Sequence, residues 1–186
     1  MGCGPSQTES AQQFLKNTRT TSINENNNKQ QGKKRENSVS DDDKERQKFR
    51  EEVLAAHNKY RAKHGAEPLT QAKDLDEIAQ KWAEHLVKND IFEHSDTEYG
   101  ENLWGGDANA TGKEVTEKHY GEIKYYNFAT GGFSMETGHF TQVVWKGSKE
   151  LGTGYARDDH GKAVVCCNYR PCGNVEGCFG TEVSPP

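Results

Sequence analysis

Four ionisable side chains stand in surroundings that otherwise predict a protein core. His139 lies at the head of GHFTQVVW (138–145), and Glu101 lies between a glycine and an apolar pair in GENLW. Glu122 lies on the inward stripe of a predicted helix, and His94 lies in FEHSD. Imidazole and carboxylate groups can bind a metal ion or transfer protons. A buried carboxylate also needs a partner, because burying it unpaired is costly.

Each of these residues, taken alone, has an ordinary structural explanation. A slight rotation of its helix would place Glu122 at the solvent-exposed rim, and His139 could simply begin a helix. Lone histidines such as His94 are usually structural. Glu101 in its apolar setting is harder to explain as a solvated acid. The occurrence of all four in one small domain favours a common explanation.

The helices that must position these residues are predicted from apolar periodicity. SDDDKERQKFREEVLAAHNKYRAKHG predicts a first helix, capped by Ser40 or Asp41, favoured by three acids at its start and ended by Gly65. A second helix is predicted over about 74–89, from an unbroken apolar stripe. The inward stripes contain Phe49, Val53, Leu54, His57 and Tyr60 in the first helix, and Leu75, Ile78, Ala79, Trp82, Ala83, Leu86 and Val87 in the second.

The rest of the chain predicts two more helices and a hairpin. A third helix is predicted over TGKEVTEKHYGEIKYYN (111–127), and a short fourth helix includes Phe140, Val143 and Val144. Two strands, 151–157 and 162–169, are joined by a polar turn. This order predicts an α+β fold with helices packed on a small antiparallel sheet. One side of the third helix carries Val115, His119, Glu122, Ile123 and Tyr126.

Charge divides the 186-residue chain in two. Residues 1–40 hold six Lys or Arg against three acids, a balance of +3, whereas the remainder holds 18 basic and 26 acidic residues, a balance of −8. An acidic body argues against nucleic acid as a partner, because phosphates need a basic face. Residues 7–40 are poor in large apolar side chains. We therefore predict a disordered tail over 1–44 and one folded domain over 45–186.

The first residues, MGCGPS, match the N-myristoylation pattern. Gly2 is the predicted acceptor of myristate, and the adjacent Cys3 is placed for palmitate. One myristoyl chain binds a bilayer only marginally, at roughly 10⁴ M⁻¹, so a second signal is expected. The chain shows neither an apolar run of 18 residues nor a secretory signal. The predicted location is therefore the cytoplasmic face of a membrane, not the exterior.

Cysteine usage agrees with a reducing compartment. The chain has five cysteines, an odd number that makes a poor disulfide framework. Cys166 and Cys167 are adjacent, so they alternate faces on a predicted strand. Their simplest interpretation is as small core residues.

Two long motifs and three shorter blocks resemble those of the CAP superfamily, which comprises the cysteine-rich secretory, venom-antigen and plant pathogenesis-related proteins. The shorter blocks HNKYRAKHGAEPL (57–69), GENLW (100–104) and GEIKYYNF (121–128) come in the family's order. The resemblance covers about 45–180, and it is nearest to the Golgi-associated, N-myristoylated branch. GHFTQVVWKGS matches through Gly138, His139, Phe140 and Trp145, and VVCCNYRPCGNV through Cys167, Tyr169, Pro171, Gly173 and Asn174.

The resemblance implies a three-layer α-β-α sandwich with a small antiparallel sheet and a central cleft. It places His94, Glu101, Glu122 and His139 in that cleft. Two imidazoles with nearby carboxylates suit Zn²⁺, with a glutamate as ligand, supporting group or general base. A buried hydrogen-bonded network without metal is the alternative.

Three functions follow from these features. The first is a non-catalytic, lipid-anchored module that binds membrane lipids (anionic or sterol), self-associates and acts on cytosolic surfaces, including the Golgi. The second is a metal-dependent hydrolase with His94 and His139 as ligands and Glu101 or Glu122 as general base. The third is a protein-interaction scaffold whose partner the sequence does not name. A serine has been proposed as a nucleophile shortly after GEN in related proteins, but ENLWGGDANATG contains none.

Overall fold

A mixed sheet lies between two helical layers in the computed structural model, which describes residues 40–186. The strand order is β1-β3-β4-β2, with β1 parallel to β3 and the other pairs antiparallel. The strands are β1 (Thr70–Gln71), β2 (Gly100–Asp107), β3 (Glu150–Arg157) and β4 (Lys162–Arg170). The helices are α1 (Asp41–Lys63), α2 (Lys73–Asn89), α3 (Gly112–Tyr120), α4 (Gly138–Val144) and α5 (Phe179–Glu182), with a 3₁₀ helix at Gly121–Tyr125.

Alternating residues of β4 supply the cores on both faces of the sheet. Val165 and Cys167 pack with residues of α1 and α3, whereas Val164 and Cys166 pack with residues of α2. The period of two along a strand requires this alternation. The two adjacent cysteines are therefore buried on opposite faces, as predicted. This arrangement gives the predicted α-β-α sandwich.

The first helix begins where the sequence predicts. The Ser40 hydroxyl accepts a hydrogen bond from the Asp43 backbone N–H at 3.1 Å, and three aspartates occupy the first turn. Capping and the helix dipole both favour this start. Gly65, with φ of 62°, follows the end of the helix. Helix α1 thus starts a few residues before the domain boundary proposed at 45.

Helix α2 approaches β3 so closely that only glycine fits at two strand positions. A Cβ added to Gly152 would lie 2.2 Å from the Leu75 carbonyl carbon, and one added to Gly154 would lie 2.2 Å from that of Ala79. The helix also satisfies the strand's outer backbone groups. The Asp76 carboxylate accepts a hydrogen bond from the Thr153 N–H at 2.7 Å. Two-residue β1 is too short to cover this edge, so α2 replaces the missing ladder.

Two segments differ from the predicted elements. The predicted third helix is interrupted after Tyr120, where Gly121 begins a tighter 3₁₀ helix. Glycine is a poor helix former, so the break falls at the weakest position. Strand β2 is absent from the sequence prediction, because three glycines and an aspartate in GENLWGGD conceal its alternation. The predicted hairpin strands 151–157 and 162–169 are confirmed as β3 and β4.

A fully buried arginine fastens the turn between α4 and β3. The guanidinium of Arg61 donates hydrogen bonds to the carbonyls of Val143, Trp145 and Ser148 at 2.8–3.1 Å, and its Nε donates to the carbonyl of Glu67. Burial lowers the pKa of Arg61 to about 10. The end of α4 and the turn that follows it are thereby bound to α1. His139 lies in the same helix α4.

Candidate functional site

His94 and Glu101 form the first of two histidine–glutamate pairs. Nδ1 of His94 lies 2.7 Å from Oε1 of Glu101, so the ring donates its Nδ1 proton to the carboxylate. The Glu101 side chain is 5% exposed on β2, whereas the His94 side chain, in the loop before β2, is 63% exposed. A buried carboxylate thus orients an imidazole that faces solvent.

Ser95 and Cys166 complete the surroundings of Glu101. The Ser95 backbone N–H donates to Oε1 at 3.0 Å, and its hydroxyl donates to Oε2. The Cys166 thiol donates to Oε2 at 3.5 Å, and burial raises the pKa of that thiol well above its usual value. Sequence reasoning missed both residues as members of the site. The adjacency of Ser95 to His94 was the available signal for Ser95.

His139 and Glu122 form the second pair. Nδ1 of His139 donates to Oε1 of Glu122 at 2.6 Å. The backbone N–H groups of His139 and Phe140 donate to Oε2 at 3.0 and 3.1 Å. Glu122 therefore also satisfies two of the free N–H groups at the start of α4. Its side chain is 21% exposed, between the inward and rim positions that the sequence allowed.

A third histidine packs against His139. The rings of His119 and His139 lie parallel, with centroids 4.8 Å apart and an interplanar angle of 11°. Nε2 of His119 lies 3.2 Å from the Leu103 carbonyl oxygen, so Nε2 carries the proton. Burial, reinforced by the nearby His139, lowers the pKa of His119 to about 3. The sequence placed His119 on the inward side of its helix but gave no sign of this contact.

A buried hydrogen-bond chain connects α1 to the backbone of His139. Nδ1 of His57 donates to the Val53 carbonyl at 2.9 Å, so Nε2 accepts from the Tyr169 hydroxyl at 2.8 Å. The Asn102 amide donates to the same hydroxyl at 3.2 Å and to the His139 carbonyl at 3.0 Å. Burial lowers the pKa of His57 to about 4 and raises that of Tyr169 well above its usual value. His57 is therefore neutral near neutral pH.

The two long sequence motifs are joined to each other by hydrogen bonds. Asn174 donates to the Gly138 carbonyl at 2.9 Å and accepts from the Thr141 hydroxyl at 2.6 Å. The Gly173 N–H donates to the Gln142 side chain at 3.0 Å. These contacts hold α4 against the segment that follows β4.

Other motif residues are buried in the core: Phe140, Trp145, Cys167 and Tyr169. Pro171 follows a cis peptide bond and its carbonyl accepts from the Ser148 hydroxyl at 2.9 Å.

Strand β2 lies between the two histidine–glutamate pairs. Glu101 holds His94, and the next residue, Asn102, holds the backbone of His139. Consecutive strand residues point to opposite faces, so the pairs are attached to opposite faces of β2. Within the described residues no hydrogen bond or ion pair joins one pair to the other. The structure therefore brings the four predicted residues together as two separate pairs.

The donor set fits zinc in kind. Each imidazole is held through Nδ1 by a carboxylate, an arrangement in which carboxylates orient metal-binding histidines. Across residues 40–186, no hydrogen bond reaches Nε2 of His94 or His139, and no three or more His, Cys, Asp or Glu side chains are grouped so that they could hold a metal ion. Zinc bound at either pair would take one nitrogen ligand from its histidine, and the glutamate of that pair would support the ring. The zinc site stays a prediction.

Two surface cavities lie away from these pairs. A cavity of about 310 Å³ opens between α1 and α3, and its floor includes Ala56 and Tyr60. A second cavity, of about 270 Å³, is lined by the start of α1 and the loop before α3. Neither is lined by His94, Glu101, Glu122 or His139. These two cavities therefore lie outside the candidate site.

Comparison with known proteins defines the family. The profile of the cysteine-rich secretory protein family, CAP, matches residues 54–169. The chain is 46% identical over 144 residues to the human Golgi-associated plant pathogenesis-related protein 1, covering 74% of this chain and 94% of that protein. The protein belongs to the CAP family.

Solved structures share the fold. The structure of BmVAL-1 superimposes with a TM-score of 0.62 at 19% identity, covering 83% of this chain and 89% of that one. A structure of NaASP2 with Zn²⁺ superimposes with a TM-score of 0.53 at 21% identity, covering 81% and 90%. At these identities the likeness concerns the fold alone.

The predicted membrane anchor belongs to the N-terminal residues. The helices within residues 40–186 all lack the length and apolar composition of a transmembrane span. Gly2 and Cys3, the predicted lipid acceptors, lie outside the described residues, as does most of the predicted tail. Cys166, Cys167 and Cys178 are free thiols.

Proposed function

We propose that the protein is a lipid-anchored CAP-domain protein of cytosolic membrane surfaces, whose folded domain itself contacts membrane lipid beside the two histidine–glutamate pairs. Myristate on Gly2 and palmitate on Cys3 would supply two anchoring signals, as stable attachment requires. The name of the human relative, Golgi-associated, supports the Golgi as the resident membrane. In this proposal the domain is not an enzyme.

The position of exposed apolar side chains carries the proposal. Phe133 is 51% exposed and Met135 is 83% exposed, and both precede His139 in the loop that leads to α4. Phe92, 57% exposed, lies two residues before His94. The Phe133 ring lies 3.1 Å from where a Cβ on Gly138 would be, next to His139. Large apolar side chains exposed in this way are typical of interaction surfaces.

Flotation with liposomes tests this contact. The full-length protein would be made in bacteria, without acylation, and mixed with neutral, anionic or sterol-containing vesicles. We expect it to float with at least one of the last two. The double variant Phe133→Ser/Met135→Ser should lose flotation, whereas Ala55→Ser, at an exposed position of α1, should not. No flotation on any vesicle would refute lipid binding by the domain and leave attachment to the acyl chains.

Cell fractionation tests the anchor separately. We expect Gly2→Ala to release the full-length protein from membranes, because it removes the myristate acceptor and with it the context for palmitate. Cys3→Ser should weaken attachment but leave it measurable. Membrane recovery of Gly2→Ala at the native level would refute the acyl anchor.

One observation favours a second function, metal-dependent hydrolysis. The two imidazoles each have Nδ1 held by a carboxylate and Nε2 without a hydrogen bond among the described residues. NaASP2, which shares the fold, has a solved structure with Zn²⁺, and this supports zinc as the metal. When bound, zinc would supply a Lewis acid and an activated water. His94 and His139 would be its ligands, and Glu101 or Glu122 the general base.

Titration calorimetry and an ester-hydrolysis assay test this function. We expect Zn²⁺ to bind the native full-length protein and His139→Ala to abolish binding while the circular dichroism spectrum stays unchanged. Hydrolysis that depends on zinc and on His139 would favour the enzyme. Zinc binding without hydrolysis would leave a metal-dependent binding module, and equal binding by His139→Ala would remove His139 from the site.

A further inference from the structure

We propose that His119 is a positioning residue for His139, and that the contact between the two rings fixes the direction in which Nε2 of His139 points. The proposal rests on the proposed use of that nitrogen. It assigns His119 no contact with a ligand. His119 acts only through the ring that it covers.

The hydrogen bond to Glu122 does not by itself fix the His139 ring. It holds one atom, Nδ1, at 2.6 Å from the carboxylate. The ring can still tilt about that bond, which would move Nε2 on the far side of the ring. A flat partner against one face removes this freedom. The His119 ring lies parallel to His139 within 11°, with centroids 4.8 Å apart.

The His119 ring is itself held firmly. It is 3% exposed at the end of α3, and Nε2 donates to the Leu103 carbonyl at 3.2 Å. Leu103 follows Asn102, which binds the His139 backbone, and Glu101, which binds His94. Three consecutive residues of β2 therefore bind all three histidines. Glu101 binds the His94 ring, Asn102 binds the His139 backbone and Leu103 binds the His119 ring.

The second nitrogen of His119 indicates that stability alone does not explain this residue. Nδ1 is buried and has no hydrogen-bond partner among residues 40–186. The other two buried histidines of this part of the chain, His57 and His64, use both nitrogens. An unpaired buried acceptor costs free energy. The stacking contact with His139 explains why a histidine occupies this position although its Nδ1 has no hydrogen-bond partner among the described residues.

Four variants of the full-length protein separate positioning from packing. His119→Ala removes both the flat ring and the donor to Leu103, and His119→Leu fills the space without a flat ring. His119→Phe keeps the flat ring and loses the donor. Val115→Ala is the matched control, because Val115 lies one turn away on the same helix, is fully buried and packs in the apolar core with Phe49 and Val53 of α1.

The first measurement is the affinity for Zn²⁺ by titration calorimetry. We expect His119→Ala and His119→Leu to lose about 10- to 100-fold in affinity, the usual effect of removing a residue that orients a metal-binding histidine. His119→Phe should stay within about threefold of the native protein, and Val115→Ala should bind as the native protein does despite its lower melting temperature. Native affinity in both His119→Ala and His119→Leu would overturn the proposal, as would an equal loss in Val115→Ala.

The second measurement does not depend on metal. Long-range ¹H–¹⁵N spectra report the chemical shift and line width of Nε2 of His139. We expect one sharp Nε2 signal in the native protein and in His119→Phe, and a shifted or broadened signal in His119→Leu, because the ring is then free to tilt about its hydrogen bond to Glu122. An unchanged His139 signal in His119→Leu would overturn the proposal. If the native protein binds no zinc, the metal-dependent function fails but this spectrum still tests the positioning.

Discussion

Two regions of the domain use histidine in opposite ways. In the interior, His57 has both nitrogens hydrogen-bonded, to the Val53 carbonyl and the Tyr169 hydroxyl. In the loop before β2, His94 uses only Nδ1, and its side chain is 63% exposed. His57 lies within a family block and His94 lies outside the blocks, so neither residue type nor motif membership identifies the exposed ring. The number of satisfied nitrogens and the exposure of the ring do.

The comparison shows that structural and candidate functional polar groups differ in how many of their hydrogen bonds are satisfied inside the protein. Interior groups such as Arg61 are saturated by backbone carbonyls, so their removal leaves buried groups unpaired. In each histidine–glutamate pair the glutamate binds Nδ1 of the imidazole, and Nε2 makes no hydrogen bond among residues 40–186. Substitutions in the interior should therefore change stability most, and substitutions in the pairs should change binding.

Acid should produce the largest effect, and it should act on the interior. Burial lowers the pKa of His57 to about 4 and that of His119 to about 3. These rings bind protons more weakly in the folded protein, so their contribution to stability is full above about pH 6.5 and is lost progressively as the pH falls from there to the folded pKa values. From pH 7.5 to 4.5 we expect a loss of about 2 to 3 kcal/mol for each ring.

Urea unfolding at several pH values measures this loss. His119→Phe replaces one of these two imidazoles with a ring that does not titrate, so the stability of this variant should fall less steeply between pH 6.5 and 4.5. The difference should approach about 1.4 kcal/mol per pH unit. Identical slopes for the native protein and His119→Phe would show that His119 is not kept neutral by burial.

Arg61→Met should give the largest effect of a single substitution. It leaves the carbonyls of Val143, Trp145 and Ser148 without their donor, so we expect a loss of about 3 to 5 kcal/mol in the free energy of unfolding. Arg46→Met is the control. Arg46 makes an exposed ion pair with Glu84 at 3.5 Å, which contributes less than about 1 kcal/mol.

Chemical unfolding in urea is the measurement, with Arg61→Lys as a milder variant if Arg61→Met does not fold. Lysine keeps the charge but cannot reach all the carbonyls. A loss below about 1 kcal/mol in both variants would contradict the role given to the guanidinium.

Tyr169→Phe should have a smaller effect on the same region. It removes the hydroxyl that donates to His57 and accepts from Asn102, so about 1 to 3 kcal/mol of stability should be lost. Tyr125→Phe removes a hydroxyl from a ring that is 62% exposed and should have no measurable effect. Thermal unfolding followed by circular dichroism compares them. Equal melting temperatures for the two variants would argue against the buried chain.

Ser95→Ala should have the smallest effect on stability. Glu101 keeps hydrogen bonds from His94, the Ser95 backbone and Cys166, so we expect less than about 1 kcal/mol of stability to be lost. Zinc affinity should fall more clearly, because the carboxylate that orients His94 is less firmly held. Asp96→Ala, at the exposed neighbouring position, is the control. A large loss of stability with unchanged zinc affinity would place Ser95 in the structural group instead.

Local sequence signals predicted most of the secondary structure. The cap at Ser40, the apolar stripe of α2 and the β3–β4 hairpin all depend on neighbouring residues, so they could be read directly. Strand β2 could not, because its edge position and its glycines hide the period of two. The break after Tyr120 was missed as well, because the periodicity of the predicted third helix continues past Gly121.

By itself, the sequence determined the family, the order of the four longer helices and the β3–β4 hairpin, and the four residues worth examining, because these follow from residue types and spacing along the chain. Only the tertiary structure decided how those residues meet. It divided them into two pairs across β2, placed His119 against His139 and added Ser95 to Glu101. These contacts join residues from different elements, and no local pattern encodes which faces will pack together.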